Sequence, residues 1–293
     1  MRDGGRAVAI MYSIASPHAI RRAGATRAAG FTIVELALTL VIVAILSVGV
    51  LVPFVAQVAQ RKISDTERIL EQAKETLMGF AAATGRLPCP APADSDGFEK
   101  FSTTSTPAGS VSNGTCDTFY GFLPAATLGF TPIDQQGYAI DGWGMMHNRI
   151  RSAVSNQTVN AVTNPFTRTN GMRDATTAQL AGATLLVVCS AGAGAVPATP
   201  ACASLPGTLT LNAPAVIWSV GANAARGGAS VDEAQNPHPN GTPPGSYPPF
   251  GTADRIFVSR TMNNMPGGEF DDIVTWLSVG NLVSRMVLAG QLP

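Results

Sequence analysis

Gly30-Phe31-Thr32-Ile33-Val34-Glu35 opens the stretch GFTIVELALTLVIVAILSVGVLVPF, residues 30–54, and the reading of this stretch decides the fold. From Leu36 to Gln60 no residue carries a charge, and about 20 mostly apolar residues suffice to cross a bilayer as a helix. One spanning helix over 31–54 is therefore expected. A lone carboxylate, Glu35, lies just inside the apolar run. Insertion scales put the penalty for a mid-helix charge at about 2.5–3.5 kcal/mol, and lower near the end, so the position argues for a task. The plainer reading is a membrane-edge acid whose side chain snorkels to the headgroups. Gly30 has no side chain and accepts backbone shapes that other residues cannot, which suits a bond presented to a protease at a helix's edge.

Outward from the span, residues 57–84 turn amphipathic. Ile63, Leu70, Ala73, Leu77 and Phe80 recur at helical spacing with Arg61, Lys62, Asp65, Glu67, Arg68, Glu71, Lys74 and Glu75 between them. The membrane helix is thus expected to continue as one long element over 55–85. Glu67, Glu71 and Glu75 follow at four-residue intervals and repel one another mildly unless Arg68 and Lys74 intervene. Gly85 stops the helix, and Pro88, Pro90 and Pro92 prevent a restart. An apolar stripe of this kind needs a sheet to lie on. Candidate strands are Met145–Val154, Thr184–Cys189, Ala215–Val220, Arg255–Arg260 and Asp272–Ser278. Their β-branched and aromatic content points to a mainly antiparallel sheet. A short terminal helix is expected at Asn281–Leu288. The region 86–141 reads as a connecting loop with short elements, and 221–253 as a surface excursion rich in Pro, Gly and Asn.

Only 13% of the 293 residues are charged, with Gly at 30 and Pro at 21, a composition that fits a loop-rich extracytoplasmic protein better than a cytosolic enzyme. Formal net charge is zero, but Arg2, Arg6, Arg21, Arg22 and Arg27 face only Asp3 within residues 1–30. By the positive-inside rule they keep the N-terminus cytoplasmic and send everything after the span outward. Residues 1–30 are read as a leader, with Met11 an alternative start. The Arg21-Arg22 pair lacks the apolar run that a twin-arginine signal needs directly after it, and no small-residue signal-peptidase site follows the span cleanly. No basic patch points to nucleic acid. Cys89, Cys116, Cys189 and Cys202 allow three connectivities. Cys89–Cys116 with Cys189–Cys202 is favoured, each bond closing a short surface loop in an oxidising compartment.

Catalytic patterns are wanting. His147 and His238 sit in no HExxH setting, and neither a GxSxG elbow nor a phosphate-cradling loop occurs, so no enzymatic activity is expected. Asp94-Ser95-Asp96-Gly97 with Glu99 places oxygens at alternate positions before a Gly, as calcium favours, but the loop pattern breaks after Gly97 and a solvated acidic turn is the simpler reading.

The string Gly30-Phe31-Thr32-Ile33-Val34-Glu35 followed by its apolar span resembles the N-terminus of type IV prepilins and of the pseudopilins of type II secretion. The resemblance implies that a membrane-embedded prepilin peptidase cuts after Gly30 and methylates Phe31. The new α-amino group, with a pKa of about 7.7–8.0, stays charged after methylation. In a filament, Glu35 of one subunit would pair with the Phe31 ammonium of a neighbour and set the stagger between them. Pro53 lies within a residue of where that family often carries a helix-loosening proline. Residues 86–141 resemble the αβ-loop of pilin-like proteins. The series SVGAN, DEAQN, RIFVSR and EFDDIVTWLS resembles the C-terminal half of prepilin-like minor subunits. Acidic loop residues bind calcium in related pseudopilins, which makes Asp271 and Asp272, or Asp232 and Glu233, weak metal candidates here. No other cofactor is expected.

The resulting expectation is an α+β, pilin-like fold, a long N-terminal helix packed on an antiparallel β-sheet. Its divisions are a leader (1–30), a transmembrane helix (31–54), an amphipathic extension (55–85) and an extracytoplasmic globular domain (86–293). The implied role is a minor structural subunit of a type IV pilus or pseudopilus. Its expected partners are the prepilin peptidase, other pilin or pseudopilin subunits, the inner-membrane assembly platform and membrane lipid. Its location would be the bacterial inner membrane, then the filament. The rival is a singly anchored periplasmic binding or catalytic protein whose span is only a tether.

Overall fold

The computed structural model describes residues 30, 32–104, 106–144, 146–192, 201–202, 207–225, 230–236 and 255–293, without the side chains of 48–55 and 146. The expected leader up to residue 29, and Phe31, lie outside the described residues, as does the 237–254 part of the excursion. The chain forms two compact units, residues 1–53 and 54–293.

Helix α1 spans Ile33–Thr84 and carries Glu35 in its first turn. Within the first unit its described apolar side chains, from Ile33 to Leu46, are exposed. Among the described residues no helix is long and apolar enough to cross a membrane. The side chains of 48–55, inside the expected span, are outside the description. The helix runs through Pro53.

In the second unit Leu70, Ala73 and Leu77 of the expected stripe are buried, Ile63 and Phe80 are half-buried, and Thr66, Ile69, Met78 and Ala81 also turn inward. On the outer side Lys74 pairs with Glu71 at 2.6 Å and Arg68 with Asp65 at 3.5 Å, while Glu75 is taken by Arg285 from the far end of the chain at 2.8 Å. The pairs at Glu71 and Glu75 dilute the repulsion among Glu67, Glu71 and Glu75, whereas Arg68 is engaged by Asp65. The helix ends at Gly85, whose φ of +78° is a left-handed conformation that glycine adopts without penalty.

The fold is α+β, with two sheets where one was expected. A four-stranded antiparallel sheet has the order β1 (Tyr120–Phe122), β2 (Arg151–Val154), β5 (Ala215–Ser219), β7 (Ile273–Trp276). A three-stranded sheet has the order β4 (Thr208–Ala213), β3 (Leu186–Cys189), β6 (Ile256–Val258), with β3 and β6 parallel. The reason lies in β3 and β5, which are apolar on both faces and fully buried. A strand of that kind must be covered on both sides. On one face of the larger sheet, Ala215, Ile217, Val154 and Leu277 join the buried stripe of α1 in the main core. On the other face, Ala153, Val216 and Trp218 share a second core with Leu186, Val188 and Phe257 of the smaller sheet. The alternation Ala215/Ile217 against Val216/Trp218 is the two-residue period of a strand, here serving two apolar layers.

Strands β1 and β4 were not expected, and β2 is the last four residues of the predicted Met145–Val154 run, which begins instead with a single 3₁₀ turn at Met146–Asn148. Short helices α2 (Ala125–Leu128), α3 (Gly171–Asp174), α4 (Thr177–Gly182) and α5 (Val231–Gln235) lie between the strands; the terminal helix, α6, covers Val279–Leu288, its first turn capped by Ser278 Oγ accepting from Asn281 N at 3.2 Å. Leu282 and Met286 of α6 enter the same core as α1.

Both favoured disulfides are present, Cys89–Cys116 and Cys189–Cys202. They are not surface clips: Cys89, Cys116 and Cys189 are buried. With its ends 13 positions apart, the second bond contributes about 3 kcal/mol by restricting the unfolded chain. The double substitution Cys189→Ser, Cys202→Ser is accordingly expected to lower the unfolding temperature by roughly 6–12 °C in a calorimetric scan. An unchanged midpoint would show that the loop is already ordered in the unfolded chain.

Candidate functional site

The N-terminal determinants lie at the start of α1. Gly30 is exposed and outside the helix, and a Cβ built on it would meet no atom within 4 Å. Thr32 caps the helix, its Oγ1 accepting from Glu35 N at 3.2 Å. Thr32-x-x-Glu35 is thus the Thr-x-x-Glu signature of a helix start, legible in the sequence but missed there. Glu35 is exposed, and an acid in a first turn is favoured by the helix dipole. Glu35 therefore has a local role at the helix start, alongside any role between subunits.

The second set of expected residues converges in the globular unit. Glu233, Asp271 and Asp272 offer carboxylate oxygens that all lie within 4.8 Å of one another. Glu233 comes from α5 (Val231–Gln235), a five-residue helix inside what the sequence suggested was a surface excursion. Ser230 starts α5 by accepting from Glu233 N at 3.1 Å, another Ser-x-x-Glu start. Asp271 and Asp272 come from the segment entering β7. Asp232 leaves the cluster: its two oxygens take Gly192 N at 2.6 Å and the Arg260 guanidinium at 2.5 Å.

Asparagines stitch this corner together. Asn223 donates its backbone N–H to Asp271 Oδ2 at 2.8 Å and its side-chain N–H to Glu233 Oε1 at 3.0 Å. That same Oε1 accepts from Asp271 N at 3.2 Å. Asn236, itself buried, donates to Asp272 Oδ2 at 2.8 Å and to Val258 O at 2.9 Å, and accepts from Val258 N at 2.9 Å. Gly221, at φ +66°, lets the turn pass so close to Asp271 that a Cβ there would collide with its carbonyl. Asp271 Oδ1 is buried with no hydrogen-bond partner.

The electrostatics follow from this crowding. Two unit charges about 5 Å apart repel by roughly 3 kcal/mol at an effective dielectric of about 20. Burial, then the neighbouring Glu233, pushes Asp271 up to about 6, against its hydrogen bond from Asn223. Burial pushes Asp272 well above the usual carboxylate range. Its bond from Asn236 and the charge of Arg151 oppose this, and Glu233 and Asp271 reinforce it. Arg151 itself is buried.

Calcium takes 6–8 oxygens, and the trio offers one carboxylate oxygen from each residue, all within 4.8 Å of one another. Asn223 and Asn236 present N–H groups to the carboxylates, and those N–H groups already occupy Glu233 Oε1, Asp271 Oδ2 and Asp272 Oδ2. The corner thus receives hydrogen-bond donors at three of its oxygens. In the turn 94–99, Asp94 and Glu99 have ion-pair partners. Asp94 pairs with Lys100 at 2.9 Å, and Glu99 binds Arg86 through two contacts at 2.8 and 2.6 Å.

A second buried acid escaped the sequence reading. Asp141 accepts from Ser219 Oγ at 2.5 Å, Asn148 Nδ2 at 3.1 Å and Trp143 N at 2.8 Å. Burial raises it and these bonds hold it back. Asn148 also donates to Gly221 O at 2.5 Å, which links Asp141 to the acidic corner. Two open grooves flank α1 in this unit. One of about 510 Å³ touches Glu67, Arg260 and Asp272, and one of about 660 Å³ runs between Glu71, Glu75 and Phe130. His147 is half-buried, and His238 is outside the described residues. No protein-family model, curated protein or solved structure matches this chain.

Proposed function

We propose that the chain is a structural subunit of a filament of the type IV pilus or type II pseudopilus kind, cut after Gly30 and assembled through α1. The observation that carries this reading is one sequence feature: Gly30-Phe31-Thr32-Ile33-Val34-Glu35 at the head of a run without charge from Leu36 to Gln60. Three properties of the molecule support it. Gly30 is accessible, the run from Ile33 belongs to a single 52-residue helix, and the distal part of that helix is buried in an α+β domain with two disulfides. In the membrane the apolar segment would hold the subunit, with the leader cytoplasmic and the domain outside. In the filament the same surface would face other protomers. A minor subunit is the reading taken, in keeping with the chain's length and long loops.

The test is the mass of the mature N-terminal peptide from cells that contain a prepilin peptidase. The expected peptide begins at Phe31 and is one methyl group heavier than its sequence, and Gly30→Val abolishes both changes. An intact leader, or a mature start elsewhere, removes the filament reading and leaves the anchored periplasmic protein.

A further inference from the structure

We propose that Thr32 is a positioning residue for the cut after Gly30: by capping α1 it fixes the helix start at Ile33 and keeps Gly30 out of the helix, open to a peptidase. This role rests on the peptidase step of the filament reading and adds a residue to it.

Two oxygens of one residue set the boundary. Thr32 O accepts from Leu36 N at 3.0 Å, the backbone bond that opens the helix, and Thr32 Oγ1 accepts from Glu35 N at 3.2 Å. One of the four N–H groups that a helix start leaves without a backbone partner is thereby satisfied. Gly30 and Thr32 both lie outside α1 and are exposed. A Cβ on Gly30 would meet nothing within 4 Å, so no other part of the molecule crowds that side of its backbone.

Without the cap, the sequence on either side favours a helix that starts earlier. Ala25, Arg27, Ala28 and Ala29 are strong helix formers, and only Gly30 resists. A helix that loses its cap either frays downstream or grows upstream. Fraying would free the N–H and C=O groups of Ile33 and Val34 at the head of the apolar segment, where lipid offers them no partner. Growth takes one glycine into the helix, a smaller penalty, and alanine in place of Thr32 favours it further because threonine is the poorer helix former. Growth therefore wins, and it withdraws Gly30 from the peptidase, because proteolysis acts on the locally open chain and tracks its population.

The experiment compares the native full chain with Thr32→Ala, Thr32→Ser and Thr32→Asn in detergent micelles. It reads kcat/KM for the cut by a purified prepilin peptidase and, on the uncut chain, the Cα chemical shift of Gly30. Thr32→Ala is expected to lower kcat/KM about fivefold, the population shift that the loss of one N-cap brings, and to move the Gly30 signal in the helical direction. Serine and asparagine both cap well, so those two variants are expected to stay within about twofold of the native chain. Unchanged cutting of Thr32→Ala beside normal cutting of the native chain overturns the role of Thr32 alone. So does rescue by serine without rescue by asparagine, which would mean that the peptidase reads the hydroxyl itself, and so does slower cutting with the Gly30 signal unmoved. A native chain that the peptidase leaves whole overturns the peptidase reading, and the role of Thr32 with it.

Discussion

Replacing Trp218 by alanine is expected to destabilise the globular unit by about 3–5 kcal/mol, the usual range for truncating a fully buried aromatic. Trp218 is completely inaccessible, sits opposite Arg151 and Val274 in the register of the larger sheet, and meets the Phe257 ring at 5.1 Å and 55°. It is thus the largest contribution of β5 to the core between the two sheets. For a domain of this size each kcal/mol moves the midpoint by about 2–4 °C, so a fall on the order of 10 °C is expected in thermal unfolding. Trp218→Phe should recover much of it. A loss under about 1 kcal/mol for Trp218→Ala would mean that the sheets are not held together at this position.

The second large effect concerns Glu35. Under the proposed reading, an ammonium–carboxylate pair about 4 Å apart contributes roughly 4 kcal/mol at an effective dielectric near 20, close to a thousandfold in association. The cap at Thr32 separates this from a local helix effect. Glutamine serves in a Thr-x-x-Glu/Gln start as well as glutamate does, so Glu35→Gln keeps the helix start and removes only the charge. Cleaved but unassembled protein is expected for both Glu35→Gln and Glu35→Ala, read as the fraction of processed subunit recovered in filaments. Normal assembly of Glu35→Gln together with failure of Glu35→Ala would reduce Glu35 to a helix cap.

The elements legible in the sequence share one property, that burial demanded a recognisable pattern over several residues. The stripe from Leu70 to Leu77 has the helical period. Thr184–Cys189 and Ala215–Val220 are continuous apolar runs, and each contains a strand. The same runs also called for two covered faces, and the single sheet of the sequence reading missed that consequence. Strand β1 was not legible because three residues, Tyr120–Phe122, carry no period. Strand β4 misled because its alternation runs in the opposite sense, with Leu209 and Leu211 exposed. At the acidic corner the pairs Asp271-Asp272 and Asp232-Glu233 both drew attention. Which member of the second pair turns inward depends on Arg260 and Gly192, both distant in the chain, and no local signal reports them. The roles of Asn223, Asn236 and Asp141 were invisible for the same reason.

The pairing of Arg285 with Glu75, and the reach of Gln291 Nε2 to Ala83 O at 3.4 Å, join the last turns of the polypeptide to the upstream rod across more than two hundred positions. A ribosome therefore makes the lid of this core more than two hundred residues after the stripe that it covers. Until then the stripe at Leu70 and Leu77 lacks the side chains of Leu282 and Met286 that complete its cover. Through that interval the nascent chain exposes apolar surface, the condition under which chains aggregate before folding is complete. A chain that stops before Leu282 and Met286 would, on the same logic, leave a product that proteases find first.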